Sequence, residues 1–172
     1  MAPANPRHQQ PSTEPAWPDD GDLLQLDIQV CFAVHAAARA FDRVYRRLLG
    51  ELGLTYPQYL VMLVLWERGD LPVKRLGELL RLDSGTLSPL LKRLDAAGLV
   101  RRERSAQDER LVIVRLSAEG EALRGAAERI PRQIAASTGL TAAQAVDLRT
   151  RLEQLTGTLD AFVADGGEGR EV

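Results

Sequence analysis

The chain has 172 residues with a formal net charge of −2, a hydrophobic share of 45%, an aromatic share of 5% and a single cysteine. This length suits one domain with helical extensions, and no apolar run reaches the roughly 20 residues that a membrane-spanning helix needs. One cysteine excludes an intrachain disulfide and is typical of the reducing cytoplasm. The first residues lack a charged segment followed by an apolar one, so no secretory signal is expected.

The first 49 residues divide into a tail and a long helix. Residues 1–20 contain five of the nine prolines and almost no aliphatic side chains, which predicts a disordered tail. From Leu23 to Leu49 apolar residues recur at steps of three and four, which predicts an amphipathic helix. At about 1.5 Å per residue a helix of about 25 residues would be about 38 Å long, so we expect it to pack partly against a second copy of the chain. The apolar stripe consists of Leu26, Val30, Val34, Ala37, Phe41, Val44 and Leu48.

A second helix is predicted after a break from Gly50 to Thr55. Pro57 occupies a first-turn position, where proline is tolerated, and the segment Tyr59–Trp66 is strongly apolar. The dipeptide Gly69-Asp70 should end this helix and lead into the central segment.

The central segment, residues 71–116, predicts a winged helix-turn-helix. A short helix from Val73 to Leu80 is followed by a break rich in capping residues at 83–86. A second helix from Leu87 to Ala97 should end at Gly98. Strands are predicted at residues 99–100 and 111–116, with a polar turn at 105–110 between them. Two short helices around a tight turn, followed by a hairpin, are typical of a DNA-reading unit.

Two further helices are predicted after this unit. Ser117 should cap the first, and Pro131 should kink or end it. Thr141 and Gln144 have the spacing of a capping box, which should start a last helix that runs to about Ala164. Residues 165–172 are rich in glycine and charge, which predicts a second disordered tail.

Together these elements predict a mainly α fold with a small β-hairpin wing over residues 21–164. The helices over 21–56 and 117–164 carry no catalytic spacing and are expected to form a dimerisation frame. A homodimer would place two DNA-reading units side by side, which suits a pseudo-palindromic operator in double-stranded DNA.

Charge is distributed unevenly along the chain. The segment from Lys74 to Arg115 has a net charge of +4 in a chain whose net charge is −2. A basic segment in an acidic protein indicates that one face of the protein binds an anionic partner, such as a phosphate backbone. A merely solvated charged helix and hairpin would have the same charge, so the order of the elements decides in favour of DNA.

The side chains at the start of the second helix of this unit are expected to reach base edges in the major groove. Short hydroxyls bind bases or phosphates without strong preference, and Pro89 could touch a thymine methyl or simply stiffen the first turn. Arg110 is expected to enter the minor groove, whereas Asp108 is expected to hold the turn of the wing. The helix candidates are Ser84, Thr86, Ser88, Pro89, Lys92 and Arg93, and the strand residues Arg101, Arg102 and Arg104 are either phosphate neighbours or solvated.

Several motifs resemble those of the MarR family of bacterial repressors, over roughly Leu23–Ala164. One is Asp108-Glu109-Arg110 with Leu116-Ser117-Ala118-Glu119-Gly120 after it. A closer resemblance, to the organic hydroperoxide resistance regulators (OhrR) of this family, rests on three motifs. These are Cys31-Phe32-Ala33, Leu54-Thr55-Tyr56-Pro57-Gln58-Tyr59 and the ten residues from Leu82 to Leu91. The resemblance implies a homodimeric winged-helix protein that releases a pseudo-palindromic operator on a chemical signal.

In this branch the resemblance implies that the first-helix cysteine senses peroxide and is held by two tyrosines of the other protomer. The matching positions are Cys31, Tyr45 and Tyr56. By residue type alone, a lone cysteine on an alanine-rich helix is a small buried hydrophobe by default. Tyr45 lies nearly on the same helical face but about 21 Å further along a continuous helix, so it could meet Cys31 only in an antiparallel dimer. A phenol that donates a hydrogen bond to the sulfur would favour the thiolate that attacks a peroxide.

The sequence departs from this branch at two points. His35 stands where the branch usually has tyrosine; it could favour the thiolate if cationic, hydrogen-bond a sulfenic acid, or be an ordinary helix residue. Cys31 and His35 alone fall short of a closed zinc site, so neither a metal nor a cofactor is expected. The chain also lacks a resolving cysteine, so the sulfenic acid would need an external small thiol or a backbone nitrogen. We predict a mixed disulfide with a small thiol as the reversible route.

These observations predict a DNA-binding repressor, not an enzyme, that senses organic hydroperoxides through Cys31. The apolar neighbours Phe32, Val34 and Phe41 favour organic over hydrogen peroxide. The alternative is a MarR-type repressor whose inter-helix pocket takes a phenolic or other amphipathic ligand, with Cys31 incidental. A thiol peroxidase would lack a second catalytic set and would leave the winged unit unexplained.

Overall fold

The computed structural model describes residues 23–105, 108 and 110–166. The predicted tail over residues 1–20 lies outside the described residues, as do residues 167–172 of the second predicted tail. The helices are α1 (Val30–Leu49), α2 (Tyr56–Arg68), α3 (Val73–Leu80), α4 (Ser84–Ala96), α5 (Ala118–Ala127), α6 (Arg129–Thr138) and α7 (Ala142–Ala164). The strands are β1 (Leu71–Pro72), β2 (Val100–Arg104) and β3 (Val112–Leu116). This architecture confirms the predicted winged helix-turn-helix.

The chain divides after Phe41 into two compact units, and the described part of the first unit has turns at residues 23–29. Helix α1 begins at Val30, so the predicted start at Leu23 is wrong. The reason is Gln29, whose side-chain amide donates to the carbonyl oxygens of Leu23 and Gln25 at 2.5 and 3.2 Å. These bonds hold residues 23–29 in turns, because side-chain hydrogen bonds compete with those of the helical backbone.

The core of the second unit lies around α2. The backbone N–H of Thr55 donates to Oε1 of Gln58 at 2.8 Å, and Pro57 lies in the first turn, as predicted. A fully buried aliphatic or aromatic side chain contributes about 1.5–3 kcal/mol, so the packing on α2 supplies much of the stability of this unit. The buried side chains of α2 and of the elements after it include Tyr59, Val61, Met62, Leu65, Trp66, Leu76, Leu87, Leu91, Leu94, Val100 and Val114.

Helices α3 and α4 form the helix-turn-helix, and α4 begins earlier than predicted. It starts at Ser84 because the Asp83 carboxylate accepts the backbone N–H of Thr86 at 2.8 Å and caps the helix. The turn before it is tight, since a Cβ on Gly77 would lie 2.9 Å from the carbonyl oxygen of Leu82. Glycine at this position therefore permits the close approach of α3 to the chain that enters α4.

The wing belongs to a three-stranded antiparallel sheet with the order β1-β3-β2. Strand β1, which the sequence analysis does not predict, pairs Leu71 with Val114. Strand β2 extends beyond the predicted residues 99–100 as far as Arg104, which lies opposite Val112. Its charged composition is atypical of a strand, and the pairing with β3 overrides this local preference.

Three helices follow the wing, where the sequence predicted two with a kink or an end at Pro131. Ser117 accepts the backbone N–H of Gly120 at 3.0 Å and caps α5. The helix breaks at Glu128, because Pro131 has no N–H to donate to the carbonyl three or four residues earlier. Helix α7 starts at the predicted capping box and ends at Ala164. Among the described residues no single helix is long and apolar enough to cross a membrane; the bent pair 30–52 and 56–68 reaches that length and composition only jointly.

Helices α2 and α5 and the base of the wing meet at Gly120. The indole Nε1 of Trp66 donates to the Gly120 carbonyl oxygen at 3.0 Å. The backbone N–H of Ser117 donates to the Leu99 carbonyl oxygen at 3.1 Å. A Cβ on Gly120 would lie 2.0 Å from that same Leu99 oxygen. The lack of a side chain at Gly120 therefore allows α5 to pack directly on the residue that leads into β2.

We predict that Gly120→Ala lowers the free energy of unfolding by about 1–3 kcal/mol, because the backbone must move to relieve the clash. At this chain length each kcal/mol corresponds to about 2–4 °C in Tm. Gly125→Ala in the same helix is the matched control, since a Cβ there meets nothing within 4 Å. Alanine at Gly125 should be neutral or stabilise the helix by about 0.5–1 kcal/mol. Thermal and urea unfolding measure both variants, and equal stability of the two would contradict the close packing at Gly120.

Candidate DNA interface and redox site

Helix α4 buries one face and exposes another. Leu87, Leu91 and Leu94 are buried in the core, whereas Ser88 is half-buried and the other DNA-reading candidates are exposed. Exposure is what contact with bases or phosphates requires, and the roles of these side chains stay predictions. The exposed candidates are Ser84, Thr86, Pro89, Lys92 and Arg93.

Thr86 also has a structural role at the start of α4. Its backbone N–H donates to Oδ1 of Asp83 at 2.8 Å, and its hydroxyl donates to Oδ2 at 3.0 Å. These two hydrogen bonds lower the pKa of the Asp83 carboxyl, and the one from the backbone has the larger effect. The resulting carboxylate lies at the N-terminus of α4, where the helix dipole favours negative charge. Because its proton is directed to Asp83, the Thr86 hydroxyl is available to DNA as an acceptor.

Asp108 organises the tip of the wing. Its Oδ1 accepts the backbone N–H of Arg110 at 3.0 Å, and its carbonyl oxygen accepts the N–H of Leu111 at 2.9 Å. The N–H of Ser105 donates to the Leu111 carbonyl oxygen at 2.8 Å and closes the hairpin. Arg110 is exposed, as its predicted entry into the minor groove requires.

Ion pairs neutralise part of the positive charge of the central segment. Within the described residues, no carboxylate pairs with Lys92, Arg93 or Arg110. Unpaired positive charge therefore remains on α4 and the wing, the two elements expected to meet DNA. The paired cations are Arg75 with Glu78, Arg81 with Asp160 of α7, and Arg115 with Asp70 and Glu103.

Cys31 lies near the start of α1 in the first compact unit and is exposed, not buried as a lone cysteine is by default. Its Sγ lies 3.9 Å from Oε1 of Gln29, to which the thiol donates; the sequence analysis missed this neighbour. His35 is exposed as well. In the described part of the chain, no group of three or more His, Cys, Asp or Glu side chains could hold a metal ion. Exposure makes the thiol accessible to an oxidant.

Tyr45 and Tyr56 come together in the second unit. Their rings are stacked with centroids 4.2 Å apart. Tyr59 joins them, with its ring centroid 6.1 Å from that of Tyr45, and these three side chains form the tyrosine cluster. Tyr59 was not among the predicted site residues, although it follows Tyr56 at a spacing that puts both on one face of α2.

Burial raises the pKa of all three phenols of the tyrosine cluster. The pKa of Tyr45 is raised to about 12, first because burial penalises the phenolate and then because Tyr56 and Tyr59 lie close. The pKa of Tyr56 is raised mainly by burial and further by the nearby charge of Asp42. The pKa of Tyr59 is raised mainly by burial and further by Tyr56. At neutral pH all three phenols are therefore protonated and able to donate a hydrogen bond.

We predict that all three tyrosines of the native protein ionise above pH 10, the last near pH 12. A raised pKa in the folded state stabilises the fold below the unfolded value of about 10, and this stability should be lost as the pH rises toward 12. Tyrosinate absorbance against pH measures the transitions. Tyr45→Phe should remove the highest transition and one of the three ionising groups. A single transition near pH 10, as expected of the urea-unfolded chain, would contradict the buried cluster.

Comparison with known proteins identifies the family. Residues 43–125 match the family model described as the transcriptional regulator SarA/Rot. The chain is 42% identical to the organic hydroperoxide resistance transcriptional regulator of Bacillus subtilis (strain 168), over 80% of this chain and 94% of that protein. It is 49% identical to the HTH-type transcriptional regulator TtmR of Methylorubrum extorquens (strain PA1), over 85% of this chain and 73% of that protein.

Solved structures agree with these relatives. Reduced AbfR bound to DNA has a TM-score of 0.68 and 35% identity to this chain, covering 80% of this chain and 95% of that one. AbfR, from Staphylococcus epidermidis, has also been solved overoxidised on DNA and with a disulfide formed. The winged helix-turn-helix and the extent of these matches show that the chain belongs to the MarR/SarA-type family of transcriptional regulators.

Proposed function

We propose that this regulator is a homodimeric repressor that senses organic hydroperoxides by oxidation of Cys31 and then releases its operator. The stacked pair of Tyr45 and Tyr56 carries the proposal, because it joins two phenols from different helices that the family resemblance assigns to the sensor. The relative in Bacillus subtilis, 42% identical, is named for organic hydroperoxide resistance, which supports the same signal here.

A second copy of the chain is the partner that we propose for the apolar faces of α1 and α7. None of the side chains of α7 is buried, and Phe32 and Val34 beside Cys31 are exposed as well. Exposed apolar surface along a long helix is typical of a protein interface, and a dimer built on α1 and α7 would bury it. The large apolar side chains of α7 with at least 37% exposure are Val146, Leu148, Leu152, Leu155, Leu159, Phe162 and Val163.

The dimer would let the tyrosines of one copy meet the thiol of the other. Helix α1 carries both Cys31 and Tyr45. Fourteen residues of an ideal helix correspond to about 21 Å, so the proposal takes the contact between them from two different copies of the chain. A neutral phenol that donates to the sulfur stabilises the thiolate, which is the form that attacks peroxides. The raised pKa of Tyr45, about 12, keeps this donor protonated.

The chemistry that we propose at Cys31 has two steps. The thiolate attacks one peroxide oxygen, so that an S–O bond forms as the O–O bond breaks. The sulfur is oxidised to the sulfenic acid, and the peroxide is reduced to an alcohol after taking up a proton. A small thiol then attacks the sulfenic sulfur, which forms a mixed disulfide and releases water. His35, one helical turn away, is the candidate to hydrogen-bond the sulfenic acid.

On the DNA side we propose that α4 enters the major groove and Arg110 the adjacent minor groove. Reduced AbfR is found on DNA, which supports the same role for the winged unit of this chain. Oxidation acts as a switch only if it disfavours the DNA-bound arrangement, and we propose that it changes the spacing of the two reading helices. The base or phosphate contacts of α4 are assigned to Ser84, Thr86, Ser88, Pro89, Lys92 and Arg93.

We predict that an equimolar organic hydroperoxide, followed by a small thiol, weakens operator binding by wild type about 5- to 150-fold, the usual size of such coupling. Cys31→Ser should bind equally well before treatment and keep its affinity afterwards. The probe is a duplex that the reduced wild-type protein enriches from a randomised library, and fluorescence anisotropy measures binding. An unchanged wild-type affinity after oxidation would overturn the sensor proposal.

A cavity of about 490 Å³ in the second unit favours the alternative function. It is lined among others by Tyr59, Trp66, Arg124 and Pro131. The lining also includes two carboxylates, Glu67 and Glu128, beside the one cation. Its aromatic walls therefore suit a phenolic or other amphipathic ligand that carries no negative charge. If this pocket were the sensor, such a ligand would release DNA from wild type and from Cys31→Ser equally.

We predict that peroxide together with a small thiol adds the mass of one thiol to each chain, at Cys31, and that dithiothreitol reverses the change. Intact mass spectrometry of wild type and Cys31→Ser measures it. Overoxidised AbfR is found on DNA, so we expect the mixed disulfide, and not an overoxidised Cys31, to release the operator. An unmodified or only sulfonic Cys31 would contradict this route.

A further inference from the structure

A cleft of about 270 Å³ lies where α3, α4 and the wing meet. Lys74 lines it from α3, Ser88 from α4, Arg102 from β2 and Arg110 from the tip of the wing. Among the residues that the structure describes, its polar lining is therefore three cations and one hydroxyl, with no carboxylate, and an anion is the ligand that such a lining fits. The apolar lining residues are Pro72, Val73, Leu111 and Val112.

The cations of the cleft differ from their neighbours in the same segment. Arg75 and Arg115 bind carboxylates, whereas Lys74, Arg102 and Arg110 have no ion-pair partner among residues 23–105, 108 and 110–166. Three like charges around one cleft repel each other. An anion between them would replace this repulsion with attraction.

Arg102 also has a buried hydrogen-bond donor without an acceptor among the described residues. Its Nε is shielded from solvent and has no hydrogen-bond partner in the described part of the chain. A buried donor without an acceptor is unfavourable, because it has lost its water and gained nothing in return. An anion in the cleft would supply an acceptor to this guanidinium.

We propose that the cleft binds one phosphate group of the DNA backbone and that Lys74 and Arg102 are phosphate-binding residues. This rests on the proposed function, with α4 in the major groove and Arg110 in the adjacent minor groove. A sugar-phosphate strand separates the two grooves, so a protein that occupies both must pass over that strand. The cleft lies between α4 and the wing, where the strand would run. Guanidinium, ammonium and hydroxyl groups all donate to phosphate oxygens.

Three variants test the cleft. Arg102→Gln and Lys74→Gln should each weaken DNA binding roughly 10- to 100-fold, the usual effect of losing a hydrogen bond to a charged group. Arg101→Gln is the matched control: it removes the same charge from the neighbouring position of β2, is exposed and does not line the cleft. Lys74 is exposed on α3, so its variant keeps the test valid if Arg102→Gln unfolds, which thermal unfolding reports.

Neutral methylphosphonates placed one at a time through the enriched duplex locate the phosphate. One position in each half-site should weaken wild type and Arg101→Gln by the same factor but leave Arg102→Gln and Lys74→Gln almost unchanged. If every position weakens the cleft variants as much as wild type, or if Arg101→Gln loses as much affinity as they do, the cleft is not a phosphate site. If wild type enriches no duplex at all, the proposed function fails instead.

Discussion

The contact between Gly120 and the carbonyl oxygen of Leu99 sets the geometry of the DNA-reading unit. Because no side chain separates them, α5 lies against the chain that connects α4 to β2. Trp66 of α2 donates to the carbonyl of the same glycine, so the core helix shares this junction. The orientation of the recognition helix relative to the wing is therefore set by main-chain contacts in a close-packed interior, which leaves little room for adjustment.

Local chemistry explains which elements were predictable. Ser117 marks the start of α5 through a hydrogen bond to its own neighbour, and Gly98 adopts the left-handed conformation that ends α4. Asp83 caps α4 in the same way, but the predicted start lay three residues too late. The predicted start of α1 was wrong because the side chain of Gln29 donates hydrogen bonds to backbone carbonyl oxygens of earlier residues. The periodicity of apolar residues does not reveal such hydrogen bonds. Strand β1 was missed because it is a dipeptide with proline, which becomes a strand only through a partner far along the chain.

The sequence predicted some residues of the candidate site but not the contacts between them. Cys31 and Tyr45 were identified by the family resemblance. The stacking of Tyr45 on Tyr56 could not be predicted from periodicity, because the connection between α1 and α2 decides that contact. The sequence left two interpretations of Arg102 open, a phosphate neighbour or a solvated strand residue. Its position beside Lys74 depends on the pairing of β3 with both β1 and β2, and such non-local register cannot be inferred from either residue's neighbours.

Strand β1 has a mechanical consequence. A two-stranded hairpin alone is marginally stable and free to swing, but here β3 is held between β2 and β1. Since β1 runs directly into α3 and β2 follows α4 along the chain, each strand of the wing is connected to the body that carries the recognition helix, β3 by pairing with β1 and β2 by the chain itself. The wing and the recognition helix are therefore expected to move together, and in the proposed dimer an operator would be released by a change in the distance between the two winged units, not by bending within either.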